Sequence, residues 1–562
     1  LPEYPRPILE RTEWKNLNGL WDYAILPANA AEPAKFDGKI LVPFAVESSL
    51  SGVQKTVGKE NELWYRRNFT VPSAWKNKNI ILHFGAVDWK AEVFLNDIKI
   101  GVHTGGYTPF CFDITPFLTK GEQKLVVKVY DPTDKGFQPR GKQTGKPEGI
   151  MYTAVTGIWQ TVWIEPVESK HIISLKTIPN IDKGLVSVAV NAANAGDGDY
   201  VRIKIFDDKS IISDYKSAIS NVIELPINNP KLWSPDSPFL YEMEISLLNG
   251  GKEIDKVKSY FAMRKISTGR DSKGIYRLQL NNKDVFHFGT LDQGWFPDGL
   301  YTAPADEALV FDIQKTKDFG FNMIRKHVKV EPARWYYHCD RLGMMVWQDM
   351  PSGGESGPRW HSHSYFDDRE FVRTPESETN YYKEWKEIID LLVSNPSVVV
   401  WVQFNEAWGQ FKTPEVVAWT KSYDPSRLVN PASGGNHYAV GDMLDLHNYP
   451  APELYLYDAS RPTVLGEYGG IGMPVEGHLW QPDKNWGYIQ FKDSKTVTDE
   501  YVKFAERLKS LVPLGFSAAV YTQTTDVEGE VNGLMTYDRK VMKLETDRLA
   551  KVNREICSSL EN

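Results

Sequence analysis

The C-terminal half of the chain repeats a strand–loop–helix rhythm, and two of its apolar strands end on glutamate. Val398-Val399-Val400 runs into Trp401-Val402-Gln403-Phe404-Asn405-Glu406, and Thr463-Val464-Leu465-Gly466 runs into Glu467-Tyr468-Gly469. A near-continuous apolar run is what a parallel strand covered on both faces requires. Eight such strands are predicted: Val285–Thr290, Asn322–Lys326, Met344–Asp349, Val398–Phe404, Leu428–Pro431, Met443–His447, Pro462–Gly466 and Phe516–Thr522. Helical patterns over Ala305–Phe319, Ala333–Leu342, Tyr382–Ser394, Val497–Leu511 and Val541–Ser558 separate several of them. Eight β/α alternations in roughly 290 residues predict one (β/α)8 TIM barrel. Its active face is the one formed by the strand C-termini, so both glutamates are expected there. Two long connections, about Pro351–Asn380 and Gly469–Lys495, follow strand C-termini and belong to the same face. Connections of that length are usually functional loops.

The remainder reads as β. Ile80-Ile81-Leu82-His83-Phe84, Ala91-Glu92-Val93-Phe94-Leu95 and Lys124-Leu125-Val126-Val127-Lys128-Val129 are separated by turn residues such as Asn96-Asp97 and Lys120-Gly121. That spacing predicts a jelly-roll sandwich over residues 1–168. Leu185 to Val190, Tyr200 to Ile205 and Tyr241 to Ile245 continue the style over residues 169–267, an Ig-like length. The barrel is then expected over residues 268–562.

Composition narrows the partners. The net charge is −8 and no block of like charge occurs, which argues against nucleic acid or an anionic membrane as the main partner. No apolar run is long enough to span a membrane. Cys111, Cys339 and Cys557 are too scattered for a disulfide framework or a zinc site, and His361-Ser362-His363 reads as surface. The chain opens at Leu1-Pro2-Glu3, so a trimmed form in a secreted or periplasmic setting is expected, with the cytoplasm left open. A homo-oligomer is also left open. Aromatic residues make up 12% of the chain; they suit the C–H faces of sugars, though core packing is the commoner use of any one of them.

Two carboxylates on one barrel face are the parts a glycosidase needs. One protonates the leaving oxygen, and the other attacks the sugar or activates water. The motifs now become specific. Asn405-Glu406 after Trp401, with Gly466-Glu467-Tyr468-Gly469, resembles glycoside hydrolase family 2, which holds many β-galactosidases, β-glucuronidases and β-mannosidases. Asn18-Gly19-Leu20-Trp21, Leu63 to Arg67, Gly105 to Phe110 with Asp113-Ile114-Thr115, and Gly157-Ile158-Trp159-Gln160 resemble the family's N-terminal sugar-binding-like jelly roll. Phe261 to Lys265 looks like the end of its Ig-like domain. Asn322 to His327 and Cys339 to Gly343 look like its second barrel strand and the helix that follows.

The resemblance implies roles. Glu467 matches the nucleophile, and Glu406 the acid/base. The acid must carry a proton at the start, which a nearby carboxylate favours because two close anions resist ionising together. Asn405 resembles the residue that bonds the sugar 2-hydroxyl, and Tyr449 one that hydrogen-bonds the nucleophile. His327, Asp349 and His447, at strand ends, are expected to bind sugar hydroxyls or brace the carboxylates. Asp292, in the segment just after strand one, and Tyr521, near the end of strand eight, are also placed at the site. Trp480 and Trp486, in the loop after Glu467, either stack on a sugar or pin the loop. No organic cofactor and no metal is expected.

Some positions depart from the family pattern. Thr290 to Trp295 replaces an Asn-Arg-His-Glu type motif, Tyr521 stands near where a floor tryptophan is usual, and Glu530-Val531-Asn532-Gly533 lacks the lysine with which β-glucuronidases hold the uronate. With that lysine missing, and with Asp292, Asp349 and Asp526 adding negative charge, a neutral sugar is expected. The reading is therefore a retaining, exo-acting, β-galactosidase-like hydrolase of an oligo- or polysaccharide. The alternatives are β-glucuronidase, β-mannosidase or arabinosidase specificity, or an inactive carbohydrate-binding barrel. A glucuronide preference would make Arg325, Lys326 or Arg359 the first carboxylate partners to test.

Overall fold

Short alternating strands near the N-terminus fold into two facing antiparallel sheets. One runs in the order Gly38–Val42, Gly19–Pro27, Asn61–Thr70, Glu122–Tyr130, Lys90–Leu95 and Ile98–Thr104; the other joins Lys15–Asn16, Val162–Val167, Asn79–Phe84 and Phe110–Asp113. Alternate residues of Glu122–Tyr130, namely Leu125, Val127 and Val129, point to a shared core with Trp21, Tyr65 and Leu82, as the two-residue strand period demands. A second sandwich sets His171–Asn180, Leu185–Ala193 and Ile223–Pro226 against Ser210–Ala218, Asp199–Asp207, Tyr241–Asn249 and Lys252–Phe261. Val186, Val188, Val201, Ile203 and Ile245 fill it. This computed structural model describes residues 1–219, 222–351, 353 and 359–560, so part of the expected connection after the third barrel strand lies outside the described residues.

Eight parallel strands form the barrel: β1 His287–Asp292, β2 Met323–Lys326, β3 Met345–Asp349, β4 Val398–Val402, β5 Leu428–Asn430, β6 Leu444–Asn448, β7 Thr463–Gly469 and β8 Phe516–Thr522. They pair in the order β5, β4, β3, β2, β1, β8, β7, β6, and a bridge between Ser433 and Asp445 draws the ends together. All eight predicted strands are present, with small shifts at their ends. The helices are α1 Asp306–Asp318, α2 Ala333–Leu342, α3 Pro375–Leu392, α4 Thr413–Tyr423, α5 Ser494–Leu511 and α6 Thr546–Cys557. Three differ from expectation. α6 starts at Thr546 rather than Val541, because Val541 and Met542 are bonded back to Thr536 and Met535. α3 starts at Pro375 rather than Tyr382, because Thr374 accepts from the Ser377 N–H and Pro375 takes the first helical position. α4 was not anticipated; its buried stripe is short, with Val416, Val417 and Thr420 as its inner face.

Strand parity sorts the barrel side chains into two layers. Leu291, Met323, Met345, Trp347, Val400, Val402, Val464, Ala518 and Val520 cluster inside. Phe288, Leu465, Ala519 and Tyr521 face outward against Tyr501, Phe504 and Leu549, while Ile324, Val346 and Trp401 pack against Leu309, Trp335 and Trp385. The barrel floor is closed by strands Ile266–Arg270, Tyr276–Leu280 and Lys283–Asp284, the first of which crosses the expected 267/268 boundary. Ile266, Leu278 and Leu280 pack into the inner cluster with Trp233 from the preceding sandwich. Trp233 is fully buried, and its Nε1–H donates to the Asp340 carbonyl of α2 at 2.7 Å.

Trp233 therefore links the second sandwich to the barrel floor. Trp233→Ala is expected to destabilise the protein by about 3–5 kcal/mol, the usual cost of truncating a buried large aromatic, and Trp233→Phe by clearly less. Equilibrium denaturation midpoints of the two variants check this; equal midpoints would show that the contact is dispensable.

Candidate active site

Parity carries one charged set to the barrel mouth. Val464 points inward on β7, and Glu467 appears in the same mouth after the local irregularity in that strand. The Glu467 side chain is buried. Its Oε2 accepts from Tyr449 Oη at 2.7 Å, and its Oε1 lies 3.3 Å from Arg325 Nη1. Glu406 sits past β4 in a turn with φ of 48°, where its N–H donates to the Ser433 carbonyl at 2.9 Å. His447, two residues along β6 from the inward Asp445, lies between the glutamates. Its Nδ1 is 2.8 Å from Glu406 Oε1 and 3.5 Å from Glu467 Oε2. One oxygen of each glutamate and a His447 nitrogen all lie within 4.8 Å of one another.

The hydrogen bonds define the protonation. Burial alone would raise the Glu467 pKa, but the charges of His447 and Arg325 outweigh it and hold the carboxyl below its ordinary range. Burial would lower the His447 pKa; the Glu467 charge and the hydrogen bond to Glu406 instead raise it above the ordinary value. An imidazolium fits its surroundings. Nδ1–H donates to Glu406, Nε2–H donates to Ser433 Oγ at 2.7 Å, and Ser433 Oγ donates onward to Asp445 Oδ2 at 2.6 Å. Gly434 makes room for the ring: its φ is 80°, and a Cβ there would sit 2.1 Å from His447 Nδ1.

Arg325 ties the set together. Fully buried, it donates from Nε and Nη2 to the two oxygens of Asp349 at 3.0 and 2.9 Å and from Nη2 to Asn405 Oδ1 at 2.8 Å. His327 Nδ1 is 2.8 Å from Asp349 Oδ2; burial lowers its pKa, so a neutral ring donates there. Tyr449 also contacts Thr522 Oγ1 at 2.6 Å, and its ring stacks on Tyr488 at 3.9 Å between centroids. The structure thus brings together Glu406, Glu467, Asn405, His327, Asp349, His447 and Tyr449.

Four expected members fall elsewhere. Asp292 has outward parity on β1 and is paired with Lys326 Nζ at 2.6 Å. Tyr521 is likewise outward, packed on Tyr468 and Tyr501, and its neighbour Thr522 takes the inward place. Trp480 packs on Tyr537 and against the aromatic cluster that includes Trp295. Trp486 donates to the Gly149 carbonyl and meets Tyr488 edge-on. Both tryptophans tie down their loop. The proposed carboxylate partners also change: Arg325 is consumed by Asp349 and Glu467, Lys326 by Asp292 and Glu331, and Arg359 is exposed. The acidic excess is cancelled too, since Asp526 is paired with Lys543 Nζ at 2.6 Å. The sequence reading missed Arg325 as a brace, although a charge inside an apolar strand is a legible signal. It also missed Thr522, Ser433, Asp445, Tyr488 and Lys142, which no motif marks.

Comparison with known proteins agrees with this architecture. Residues 42–139 match the sugar binding domain of glycosyl hydrolases family 2, residues 165–264 a further family 2 domain, and residues 302–546 the family's TIM barrel domain. A putative β-glucuronidase of Formosa agariphila is 27% identical over 455 residues, covering 78% of this chain and 49% of that protein. A β-glucuronidase of Bacteroides fragilis is 24% identical over 527 residues, covering 85% and 73%. β-Galactosidases are also among the relatives. The chain spans half or less of the length of the first two relatives it matches. The fold is that of a solved β-D-glucuronidase of Dictyoglomus thermophilum, with a TM-score of 0.76 at 20% identity over 99% of this chain and 98% of that one.

Glu406, His447 and Glu467 are also a set that could hold a metal ion. Their surroundings disfavour one. Arg325 Nη1 lies 3.3 Å from Glu467 and 3.4 Å from His447 Nε2, and a metal would have to displace the His447 proton that the two glutamates favour. Dialysis against EDTA is therefore expected to leave turnover and thermal midpoint unchanged. Loss of either, recovered with Mg2+ or Ca2+, would show that a cation site had been overlooked.

Proposed function

Because the chain belongs to glycoside hydrolase family 2, we propose that it is a retaining, exo-acting β-glycosidase, with Glu467 as nucleophile, Glu406 as acid/base and a terminal β-glucuronate as the sugar it releases. The observation that carries the mechanism is the closeness of the two carboxylates, with oxygens within 4.8 Å. Retaining enzymes hold theirs about 5–5.5 Å apart, whereas inverting ones need about 6.5–9.5 Å to admit a water. Glu467, ionised and aimed by Tyr449 and Arg325, attacks the anomeric carbon as the leaving oxygen takes a proton from Glu406. The Glu406–His447 hydrogen bond, accepted by Oε1, orients the carboxyl and leaves Oε2 to carry that proton. The glycosyl ester on Glu467 is then opened by water, from which Glu406 removes a proton, and the sugar leaves with its original configuration.

Two findings favour glucuronate over the neutral sugar expected from sequence. Relatives named β-glucuronidase match most of this chain. The electrostatic argument for a neutral sugar also loses its basis, since Asp292, Asp349 and Asp526 each face a buried cation and repel nothing. The β-galactoside is the rival, supported by the β-galactosidases among the relatives.

The comparison that decides between them is kcat/KM on p-nitrophenyl β-glucuronide against the β-galactoside, with preference for the glucuronide expected. A preference for the galactoside would overturn the sugar and leave the mechanism standing. Glu467→Gln is expected to lose about three orders of magnitude or more in rate. A 2-deoxy-2-fluoro glycoside should label the peptide containing Glu467; labelling of another carboxylate would refute the assignment. Glu406→Ala should keep relatively more activity on a dinitrophenyl glycoside than on a poor leaving group, because a good leaving group needs no proton, and azide should restore turnover.

A further inference from the structure

One buried cation is left over from the mechanism above. Lys142 belongs to the N-terminal sandwich, in the segment between strands Glu122–Tyr130 and Tyr152–Thr153. That segment is pressed onto the barrel mouth. Pro139 bridges to Gly353, just past β3. Gly141, at φ of 60°, lies so close to the residue after His327 that a Cβ would meet the Val328 carbonyl oxygen at 2.4 Å. On the other side Gln143 is held by three bonds: its Nε2 donates to Asp88 at 2.8 Å and Tyr107 at 3.3 Å, and its Oε1 accepts from the Val155 N–H at 2.7 Å. The backbone of Lys142 is thereby fixed between two immobile neighbours, and its carbonyl accepts from Tyr152 N–H at 2.8 Å.

The side chain is only 6% exposed, yet its ammonium has no carboxylate or carbonyl partner among the described residues. Of the other buried cations around the mouth, Arg325 pairs with Asp349 and Glu467, Lys326 with Asp292 and Glu331, Lys329 with Glu331 and Lys543 with Asp526, while Arg373 donates to the Gly353 and Gly409 carbonyls. Lys142 has instead the face of Tyr152, with 5.5 Å from Nζ to the ring centroid. A cation–π contact offsets part of the cost of burying an ammonium, not the whole. The charge also reaches the catalytic set. Lys142 acts with His447 and Arg325 in lowering the Glu467 pKa, and after burial it is the first cause that lowers that of His327.

We propose that Lys142 binds the carboxylate of the terminal uronate, reaching from the N-terminal sandwich into the barrel site. The assignment rests on the glucuronide reading above. An ammonium carried to the barrel mouth on a fixed backbone, with no anion among the described residues, is placed to meet the sugar bound there, so a group on that sugar can serve as its counter-ion. A carboxylate supplies the missing charge-assisted bond, and a neutral hydroxymethyl group leaves the ammonium without an anion. Lysine offers a point charge rather than a planar fork, so arginine is not an equal substitute.

The test compares p-nitrophenyl β-glucuronide with p-nitrophenyl β-glucoside, which differ only at C6, in the wild type, Lys142→Met and Lys142→Arg. The glucuronide-to-glucoside ratio of kcat/KM is expected to fall about 30- to 100-fold or more in Lys142→Met, the usual effect of truncating one partner of a buried charge pair, and by less in Lys142→Arg. As a readout independent of turnover, D-glucuronic acid should raise the thermal midpoint of Glu467→Gln and not that of Glu467→Gln combined with Lys142→Met. A wild type that cleaves the glucuronide, with an unchanged ratio in Lys142→Met, would overturn the role of Lys142 alone. A wild type without glucuronide activity would overturn both this role and the sugar proposed above.

Discussion

The buried guanidinium of Arg325 is the interaction on which the catalytic mouth depends. Asp349, Glu467, Asp445 and Glu406 crowd the ends of four different strands or their turns, and anions so close in a low dielectric repel strongly. Arg325 spans the interior of the barrel and bonds Asp349 with two nitrogens, Glu467 with a third contact, and Asn405 with a fourth. Its planar fork suits this task, since it fixes directions as well as supplying charge. His447 supplies the second positive charge, held between Glu406 and Ser433. With two cations in place, Glu467 is held ionised although it is buried.

Strand parity explains what was legible in the sequence and what was not. A barrel strand is apolar on both faces, so composition announces the strand without saying which residues look inward. Glu467, Glu406, Asn405 and Tyr449, which whole motifs carried, converge at the barrel mouth. Asp292 and Tyr521 were chosen only for lying near the ends of their strands, and a one-residue error of register sends a side chain to the opposite layer. Thr522, beside Tyr521, has the inward position. The helices were legible where their apolar stripe was long. The first turns of α3 rest on the Thr374 cap and Pro375, α4 opens at Thr413-Pro414 without a side-chain cap, and both stretches carry little apolar periodicity.

Contacts between domains were the least legible part, because nothing in a local pattern records which distant surface a loop will meet. The segment around Lys142 reads in sequence as an irregular stretch of a β domain. In the structure it is pinned to Val328 and Gly353 at the barrel mouth. Tyr107 and Trp159 of the sandwich interleave with Trp295 and Tyr301 of the barrel in one buried cluster, and Tyr152 joins them through Trp295. Aromatic surface of this extent, packed edge-to-face, makes the sandwich part of the wall of the site and not a tethered accessory.

The charge balance of that wall bears on which sugar fits. A neutral terminal sugar presents hydroxyl groups, which can donate to carboxylates that retain free acceptor sites. Asp349 has little to spare, since Arg325, His327 and the Val328 N–H already occupy it. Asp292 and Asp526 are sequestered with lysines. Among the described residues, the positive group at the mouth without an anion is Lys142 of the neighbouring domain. Specificity is a difference between affinities, and in the role proposed for it Lys142 would set that difference by penalising a sugar that brings no anion as much as by rewarding one that does. In this arrangement the barrel supplies Glu467, Tyr449 and Arg325 to the mouth, while the sandwich brings Lys142 to the same face.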